Sequence, residues 1–421
     1  MRILYFSRDY TPHDHRFLTS LAESGQQVFF LRLERRGSQL EDRSLPAAVT
    51  QVKWRGGQAP FRWRDLPALL WSLRNVLREV QPDILHAGPV QTAAFLAALT
   101  GFQPLVTMSW GSDLLKDADQ SRWLRWVTRY TLRRSAVLVG DCAAVREKAI
   151  SCGFLNAGSE TDRIFTFPWG IDLARFAPAS SFSGNGSDHA DWDLRRPAVL
   201  CRRLGWQDRF VVLSLRSWEP VYGIDVLMNG FARAARENPD LRLLLLGGGS
   251  QARLVHQIIQ NNDLGDRVHL AGQVSQTDLP AIYRAADLYL SASRSDGSSV
   301  SLMEALASGL PVLVSDIPGN LEWIEDGRQG WLFKDGDPGS LAERLLAAAR
   351  SRDAMVQMGQ AARRLAEERA DWNDNFQVLL RAYEAAAPHV AGGVNPVRGS
   401  AEAPDPLELA VSRKPGGVSQ R

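Results

Sequence analysis

The chain alternates short apolar runs with stretches of helical spacing. In the first half, runs of strand length are RILYFS (2–7), QVFFLRL (27–33), DILHA (83–87), PLVTMS (104–109) and AVLVGD (136–141). Between them, FLTSLAESG (17–25) and LPALLWSLRNVLREV (66–80) repeat apolar residues every three or four positions, as amphipathic helices do. Strands that alternate with helices predict a parallel sheet covered by helices on both faces.

A second series of the same kind follows a polar interruption. Residues 177–208 are rich in Ser, Gly and Asp, which predicts a linker or an exposed insert. Further strands are expected in 210–217, 241–249, 267–272, 287–293 and 311–316. Residues 341–370 predict one continuous helix and residues 372–386 a last one, whereas the Pro- and Gly-containing segment from residue 390 lacks periodicity.

This organisation predicts an α/β protein with two Rossmann-like, doubly wound domains that face each other across a cleft. We expect a first domain at 1–176, a linker or insert at 177–208, a second domain at 209–370, a helix at 371–389 that crosses back to the first domain, and a disordered tail at 390–421. Ligands of such domains bind in the cleft, at the carboxyl ends of the strands. The alternative is two unrelated domains on one chain.

Composition narrows the class of protein. The 421 residues carry a formal net charge of +2, which argues against a nucleic-acid partner. Three cysteines without metal or disulfide spacing favour a reducing compartment. The first residues, MRILYFSRDY, lack the pattern of a signal peptide, and no apolar run reaches membrane-spanning length. We therefore expect a cytoplasmic protein, with peripheral membrane contact left open.

The stretch SASRSDGSSVSLMEALASGLPVLVSD (291–316) is the most informative motif. Its pattern predicts a strand, a small polar turn at Gly297, Ser298 and Ser299, a helix, a glycine stop and another strand. Free N–H groups at such a helix start suit a phosphate or a sugar, and the carboxylates of Asp296 and Glu304 can accept bonds from hydroxyl groups. Alternatively, Asp296 forms the turn and Glu304 complements the helix dipole.

These features together resemble the acidic-x7-acidic motif of glycosyltransferase family 4, retaining enzymes with the GT-B fold. The similarity extends over most of residues 1–388, including FPWGIDLARFAP (167–178) and VHLAGQVSQTDLPAIYRAADLYLSAS (268–293). The resemblance implies a UDP- or GDP-sugar donor in the second domain, with no further cofactor and no metal. Its implied contacts are the base with Gly272, Gln273 and Val274, the ribose with Glu304, the sugar with Asp296, and sugar and phosphate with the 297–299 turn.

The segment SLRSWEPVYGIDVLMNGF (214–231) resembles the family's diphosphate loop. Arg216 matches the arginine of that loop, but Tyr222 stands where the family has a lysine. The resemblance implies that Arg216 neutralises the diphosphate; a surface arginine at a strand end is the alternative. Either another basic residue supplies the second charge or the leaving group is handled differently, and the candidates are Arg202, Arg203 and Arg294.

The loop SRDYTPHDHRF (7–17) replaces the Gly-Gly loop that family members often carry. Its side chains His13, Asp14, His15 and Arg16 are candidates to bind an acceptor hydroxyl or the diphosphate. A solvated loop is an equally open interpretation. Metal binding by His13 and His15 is a weaker one, because their spacing is not diagnostic and no third ligand suggests itself.

Two further first-domain segments carry candidates for the acceptor side. In TMSWGSDLL (107–115), Trp110 stands where relatives often have a catalytic histidine, so Asp113 becomes the substitute candidate for a sugar or acceptor contact. Its alternative role is a helix N-cap. His86, in DILHAGPVQT, either faces the cleft at a strand end or is a buried, hydrogen-bonded residue.

The segment SRWLRWVTRYTLRR (121–134) is basic and aromatic, and its arginines form one helical stripe. It either contacts an anionic membrane surface or covers the first sheet with its aromatic side.

The resemblance implies a retaining, metal-independent glycosyltransferase acting on a glycan, a lipid-linked sugar or a small metabolite, in cell-surface polysaccharide or glycoconjugate synthesis. The alternatives are a non-catalytic nucleotide-sugar-binding subunit and a sugar-nucleotide epimerase of the same fold.

Overall fold

The computed structural model describes residues 1–35, 41, 43–154, 163–178 and 200–386. Most of the predicted linker at 177–208 and all of the tail predicted from residue 390 therefore lie outside the described residues.

The first half forms a parallel seven-stranded sheet in the order β3-β2-β1-β4-β5-β6-β7. Its strands are β1 (Arg2–Ser7), β2 (Gln27–Arg32), β3 (Val49–Gln51), β4 (Ile84–Gly88), β5 (Leu105–Met108), β6 (Val137–Gly140) and β7 (Ile164–Thr166). Its helices are α1 (Pro12–Glu23), α2 (Leu66–Val80), α3 (Ala93–Thr100), α4 (Ser112–Leu115), α5 (Arg122–Arg134) and α6 (Ala143–Ser151).

The second half forms a parallel six-stranded sheet in the order β10-β9-β8-β11-β12-β13. Its strands are β8 (Phe210–Ser214), β9 (Leu241–Leu246), β10 (Val268–Gly272), β11 (Leu288–Ser291), β12 (Val312–Ser315) and β13 (Gly330–Phe333). Its helices are α7 (Ile224–Glu237), α8 (Ala252–Asn261), α9 (Leu279–Arg284), α10 (Val300–Ala307), α11 (Pro318–Leu321) and α12 (Pro338–Arg350). Both sheets have the alternating, doubly wound pattern that the sequence predicts.

The strand order reverses at one point in each sheet, between β1 and β4 and between β8 and β11. Helices leave the sheet on opposite faces at such a point, which opens a crevice at the carboxyl ends of the two strands. In the second sheet, the segments that follow β8 and β11 carry Arg216 and Asp296. The topology therefore brings together two residues that are 80 positions apart in the sequence.

The last helices differ from the sequence prediction. One continuous helix over 341–370 is wrong: α12 ends before Ser351, whose ψ of 38° is not helical, and α13 spans Arg352–Arg369. The helix also starts earlier, because Asp337 Oδ1 accepts the N–H groups of Gly339 (2.8 Å) and Ser340 (3.1 Å) as an N-cap.

The final helix, α14 (Trp372–Ala386), packs on β5, β6 and β7 of the first sheet. Its Tyr383 hydroxyl shares a 2.5 Å hydrogen bond with His86 Nδ1, and Trp372 Nε1 donates to Ser20 Oγ at 2.8 Å. Both ring systems are buried against the first-domain core. The chain thus returns to its first sheet after completing the second.

Candidate functional site

A cavity of about 900 Å³ lies between the two domains, beside the switch point of the second sheet. Its size falls in the range of small-molecule sites. The first domain contributes one face of α1, and the second contributes the segments after β8 and β10 and the start of α10. The lining includes His13, His15, Arg16, Arg43, Arg175, Arg216, Tyr222, Gln273, Val274, Tyr283, Glu304 and Trp372.

Arg216 and Asp296 form an ion pair with 2.7 Å between Nη2 and Oδ2. Nη1 also donates to the hydroxyl oxygens of Ser299 (3.1 Å) and Ser301 (3.3 Å), while the ring of Tyr222 stacks 4.1 Å from the guanidinium carbon. Burial lowers the pKa of Arg216, but Asp296 outweighs this and leaves that pKa raised. Burial leaves the pKa of Asp296 raised despite the arginine. A fixed cation therefore stands at the carboxyl end of β8.

Glu304 lies on α10 and lines the cavity, with 8% of its surface exposed. Its Oε2 accepts the hydroxyl of Tyr283 at 2.8 Å. Burial raises the pKa of Glu304 to about 7, against the Tyr283 bond and the charges of Arg16, Arg175 and Arg216, which lower it. Near neutral pH this carboxyl group can change its charge, and its acceptor oxygens face the cavity.

The segment Gly272–Val274 follows β10 at the same edge of the sheet. Gln273 and Val274 line the cavity, and the carbonyl of Gly272 accepts the N–H of Gly247 at 2.7 Å. Gly272 has φ +67°, a left-handed conformation that favours glycine. The turn therefore places the two residues that follow it in the cavity wall.

The turn at Gly297–Ser299 contacts the first domain. Asp141, just after β6, accepts the backbone N–H of Ser298 at 2.7 Å, and Ser298 Oγ donates to the Asp141 carbonyl. A Cβ on Gly297 would overlap the Asp141 carboxylate, and one on Gly111 would lie 2.9 Å from Gly297 N. In this arrangement the Ser298 N–H is therefore already occupied by an acid that the sequence analysis did not single out.

The loop after β1 places its four candidates differently. His13, His15 and Arg16 line the cavity. Asp14 is buried and caps α1, since it accepts the N–H of Thr11 at 2.9 Å. His15 Nδ1 shares a 2.6 Å hydrogen bond with the hydroxyl of Tyr10. One face of α1 thus lines the cavity, whereas Asp14 stabilises the N-terminus of the helix as part of its capping box.

Three other first-domain candidates lie away from the cavity lining. Asp113 is buried and ties loops together: Oδ1 accepts from Ser109 Oγ and the N–H groups of Trp110 and Leu114, and Oδ2 accepts the N–H of Val90. This is neither the predicted ligand contact nor an N-cap, because Gly111 holds the N-cap position of α4. A carboxylate whose oxygens accept four such bonds is committed to the loops.

Trp110 and His86 both pack against other side chains of the protein rather than line the cavity. The Trp110 ring lies 5.5 Å from that of His13 and 5.9 Å from that of Trp169. His86 is 1% exposed, bonded to Tyr383, and burial lowers its pKa to about 3. Of the two interpretations of His86, the structure shows the buried, hydrogen-bonded one.

The cavity also contains residues that sequence reasoning missed. Arg175 donates to the carbonyl of Gln276 in the second domain, and Trp372 comes from the last helix. The alternative cations Arg202, Arg203 and Arg294 are exposed and absent from the lining, and Arg294 pairs with Asp225 at 2.8 Å. Arg175 lies within the 167–178 motif, so its proximity to the site was accessible from the sequence; Trp372 was not.

An exposed aromatic surface lies on the first domain, away from the cavity. On α5, Trp123 and Trp126 stack with ring centres 5.1 Å apart, and Trp63 meets Trp123 at 5.8 Å. These three tryptophans are 41–50% exposed. The helix packs inward through Val127, Thr128, Thr131 and Leu132. On its aromatic side, Tyr130 packs against the first-domain core, whereas Trp123 and Trp126 stay exposed and do not cover the sheet. Within the described part of the chain, no helix has the length and apolarity to span a membrane.

Comparison with known proteins identifies the family. The family model described as "Glycosyl transferases group 1" matches residues 202–365, and "Glycosyl transferase 4-like" matches residues 2–140. The chain belongs to the group 1 glycosyltransferases. The match over residues 202–365 contains Arg216, Gly272, Asp296 and Glu304, so the family model covers the second-domain wall of the cavity in this group 1 glycosyltransferase.

Relatives and solved structures agree with this family. Over 186 residues (42% of this chain, 38% of the relative) the sequence is 33% identical to mannosylfructose-phosphate synthase of Agrobacterium fabrum. Over 235 residues (52% and 46%) it is 34% identical to D-inositol 3-phosphate glycosyltransferase of Salinispora tropica. The matches span less than two thirds of the length of such curated relatives.

The fold resembles Anabaena Alr3699/HepE, crystallised with UDP and glucose, at 20% identity and TM-score 0.71, covering 91% of this chain and 100% of that one. This group 1 glycosyltransferase therefore has the GT-B fold that its sequence predicts.

Proposed function

We propose that this protein is a retaining glycosyltransferase that transfers a sugar from a nucleotide-sugar donor to a hydroxyl group of an acceptor. One observation carries the proposal: Arg216 and Glu304 line a single cavity at the carboxyl ends of β8 and β11, and Asp296 holds Arg216 there through an ion pair. Glu304 offers carboxylate oxygens to the ribose hydroxyls, and Arg216 offers its charge to the diphosphate. The exposed backbone of Gly272–Val274 receives the base.

Charge explains why this arrangement suits transfer. The bond between the sugar C1 and the phosphate oxygen breaks, and a bond forms from C1 to the acceptor oxygen on the same face. Breaking the C1–O bond leaves its electron pair, and so a growing negative charge, on the diphosphate, which then takes up the proton of the acceptor hydroxyl. A guanidinium held in place by Asp296, Ser299 and Ser301 stabilises that charge without moving, and no metal ion is required.

The acceptor binds against the first domain, where α1 faces the donor site. HepE holds UDP and glucose in the same fold, which makes UDP-sugars the first donors to test and GDP-sugars the second. The exposed cluster of Trp63, Trp123 and Trp126 is flanked by the exposed arginines of α5, and it favours an anionic lipid surface that presents the acceptor. A lipid-linked sugar used in glycoconjugate synthesis has this chemistry.

The test is sugar transfer by the purified full chain. Radiolabelled UDP- and GDP-sugars are incubated with the protein and an extract of cell lipids and glycans, and labelled products are separated. We expect a product with one donor, retention at its anomeric carbon, and loss of transfer in Arg216→Ala but not in Arg350→Ala, an exposed arginine at the end of α12. Tight donor binding with no transfer to any acceptor would instead identify a non-catalytic subunit.

A further inference from the structure

The arginines that line the cavity differ in how their charges are balanced. Arg216 is paired with Asp296, and Arg43 is paired with Glu41 through two contacts of 2.9 and 2.7 Å. Arg175 donates to the backbone carbonyl of Gln276, and Arg16 donates to that of Gly170 at 2.5 Å from Nη1. Among the described residues it forms no ion pair with a carboxylate. Glu304 and Asp172 act on its charge from beyond ion-pair distance, so its guanidinium group remains available to a ligand in the cavity.

Arg16 is also held in place before any ligand arrives. Its guanidinium carbon lies 4.5 Å from the ring centre of Trp372, and the Gly170 carbonyl fixes one end of the group. Its Nε atom is buried and has no hydrogen-bond partner in the described part of the chain. Burial lowers the pKa of Arg16 to about 10, so the group remains protonated at neutral pH. A fixed cation with an unsatisfied N–H is suited to an anion.

His13, one helical turn before Arg16, lines the same cavity as Arg16 and Arg216. Burial, Arg16 and Arg216 together lower the pKa of His13 to about 3, which keeps the imidazole neutral. Its Nδ1 is buried without a hydrogen-bond partner among the described residues. A neutral imidazole can donate one hydrogen bond and does not add to the repulsion between the arginines.

We propose that Arg16 supplies the second positive charge for the donor's diphosphate, from across the cleft and opposite Arg216, with His13 as a hydrogen-bond donor between them. The inference rests on the proposed function and assigns Arg16 to the diphosphate rather than to the acceptor. Asp296 already balances Arg216, so the charge that grows on the leaving group needs a further cation. Because Arg16 belongs to the first domain, a bound diphosphate joins the two domains through charge.

The experiment compares the affinities for UDP and GDP with those for uridine and guanosine, by calorimetric titration of the full chain. Arg16→Ala is expected to weaken binding of the preferred diphosphate about tenfold, as loss of a charge-assisted hydrogen bond does, and to leave nucleoside binding within about twofold. Arg16→Lys retains the charge and should lose less. The exposed Arg350→Ala should match wild type.

A second variant separates a missing charge from a structural defect. Tyr222 lines the same cavity beside Arg216, so Tyr222→Lys in the Arg16→Ala protein restores a cation near the diphosphate and should recover most of the lost affinity. Unchanged diphosphate affinity in Arg16→Ala, or an equal loss for nucleoside and diphosphate, would overturn the inference alone. A wild-type protein that binds no nucleoside diphosphate would overturn the proposed function as well.

Discussion

The carboxylate of Asp141 in the first domain accepts the backbone N–H of Ser298 in the second, with 2.7 Å between Oδ2 and N. The Ser298 hydroxyl donates in return to the Asp141 carbonyl, so the end of β6 is fastened to the turn before α10. Gly297 is required next to this contact, because a side chain there would overlap the carboxylate. A donor phosphate that uses the Ser298 N–H must first displace Asp141.

The buried Asp141 carboxyl group predicts a pH-dependent stability. Burial and the nearby Asp296 raise its pKa from 3.8 to about 7, against the Ser298 hydrogen bond that lowers it. The folded protein then holds a proton that the unfolded chain releases, so this group makes the folded state less stable as pH rises from about 4 to 7. Asp141→Asn keeps an acceptor oxygen and has no such penalty. Its stability advantage over wild type should grow by about 2 kcal/mol between pH 5 and pH 8.

Denaturant unfolding at a series of pH values measures that difference. Asp266→Asn, at an exposed turn, is the matched control and should follow wild type at every pH. Parallel pH curves for wild type and Asp141→Asn would show that Asp141 is solvated and that the domains do not meet at Ser298.

Glu304 predicts a pH-dependent affinity for the nucleotide. With a pKa raised to about 7 by burial, its carboxyl group is mostly protonated at pH 6 and mostly ionised at pH 8. The ionised form accepts ribose hydroxyl groups more strongly, so nucleotide affinity should rise by roughly tenfold over this interval. Glu304→Gln should lack this part of the rise. The comparison of the two proteins with the same nucleotide cancels ionisation of the ligand, and equal slopes would rule out a ribose contact by Glu304.

The aromatic surface on α5 predicts binding to anionic vesicles. The double variant Trp123→Ala with Trp126→Ala removes the stacked pair and should abolish co-flotation with phosphatidylglycerol vesicles at low salt. Wild type should bind less at high salt and little to phosphatidylcholine, since the flanking arginines act through charge. Trp71→Ala removes a tryptophan that is 65% exposed on α2 but outside the stack, and should bind as wild type does. Equal co-flotation of wild type, the double variant and Trp71→Ala would contradict membrane binding through this surface.

The fold was predictable where periodicity is strong. The long, amphipathic α2 matches its predicted bounds at 66–80, and the buried strands at the centres of both sheets were expected. The edge strands β3 and β7 are three residues each, too short for a pattern to register. The break at Ser351 was missed because apolar spacing continues through it, so local backbone geometry alone separates α12 from α13.

Some site residues were likewise predictable from the sequence, and others only the folded structure reveals. Arg216, Asp296 and Glu304 belong to sequence motifs, and the parallel topology places them at one edge. Asp141 and Trp372 reach the cleft only through packing of one domain, or of the last helix, against the other, and no local pattern encodes such a contact. The sequence predicts that Asp113 contacts a ligand, yet its carboxylate oxygens accept hydrogen bonds from the backbone N–H groups of neighbouring loops. Hydrogen-bond partners distinguish these cases, and they require the folded structure.

The central claim is that the interdomain cavity binds the nucleotide of a sugar donor through Glu304. Calorimetric titration of UDP and GDP into wild type, Glu304→Ala and Glu343→Ala tests it directly. Glu343→Ala is the control, because Glu343 is an exposed glutamate on α12, away from the cavity lining. We predict that one of the two nucleotides binds wild type and Glu343→Ala with equal affinity and one-to-one stoichiometry, and that Glu304→Ala binds it at least about tenfold more weakly. No binding of either nucleotide to wild type, or equal binding to Glu304→Ala, would contradict the account.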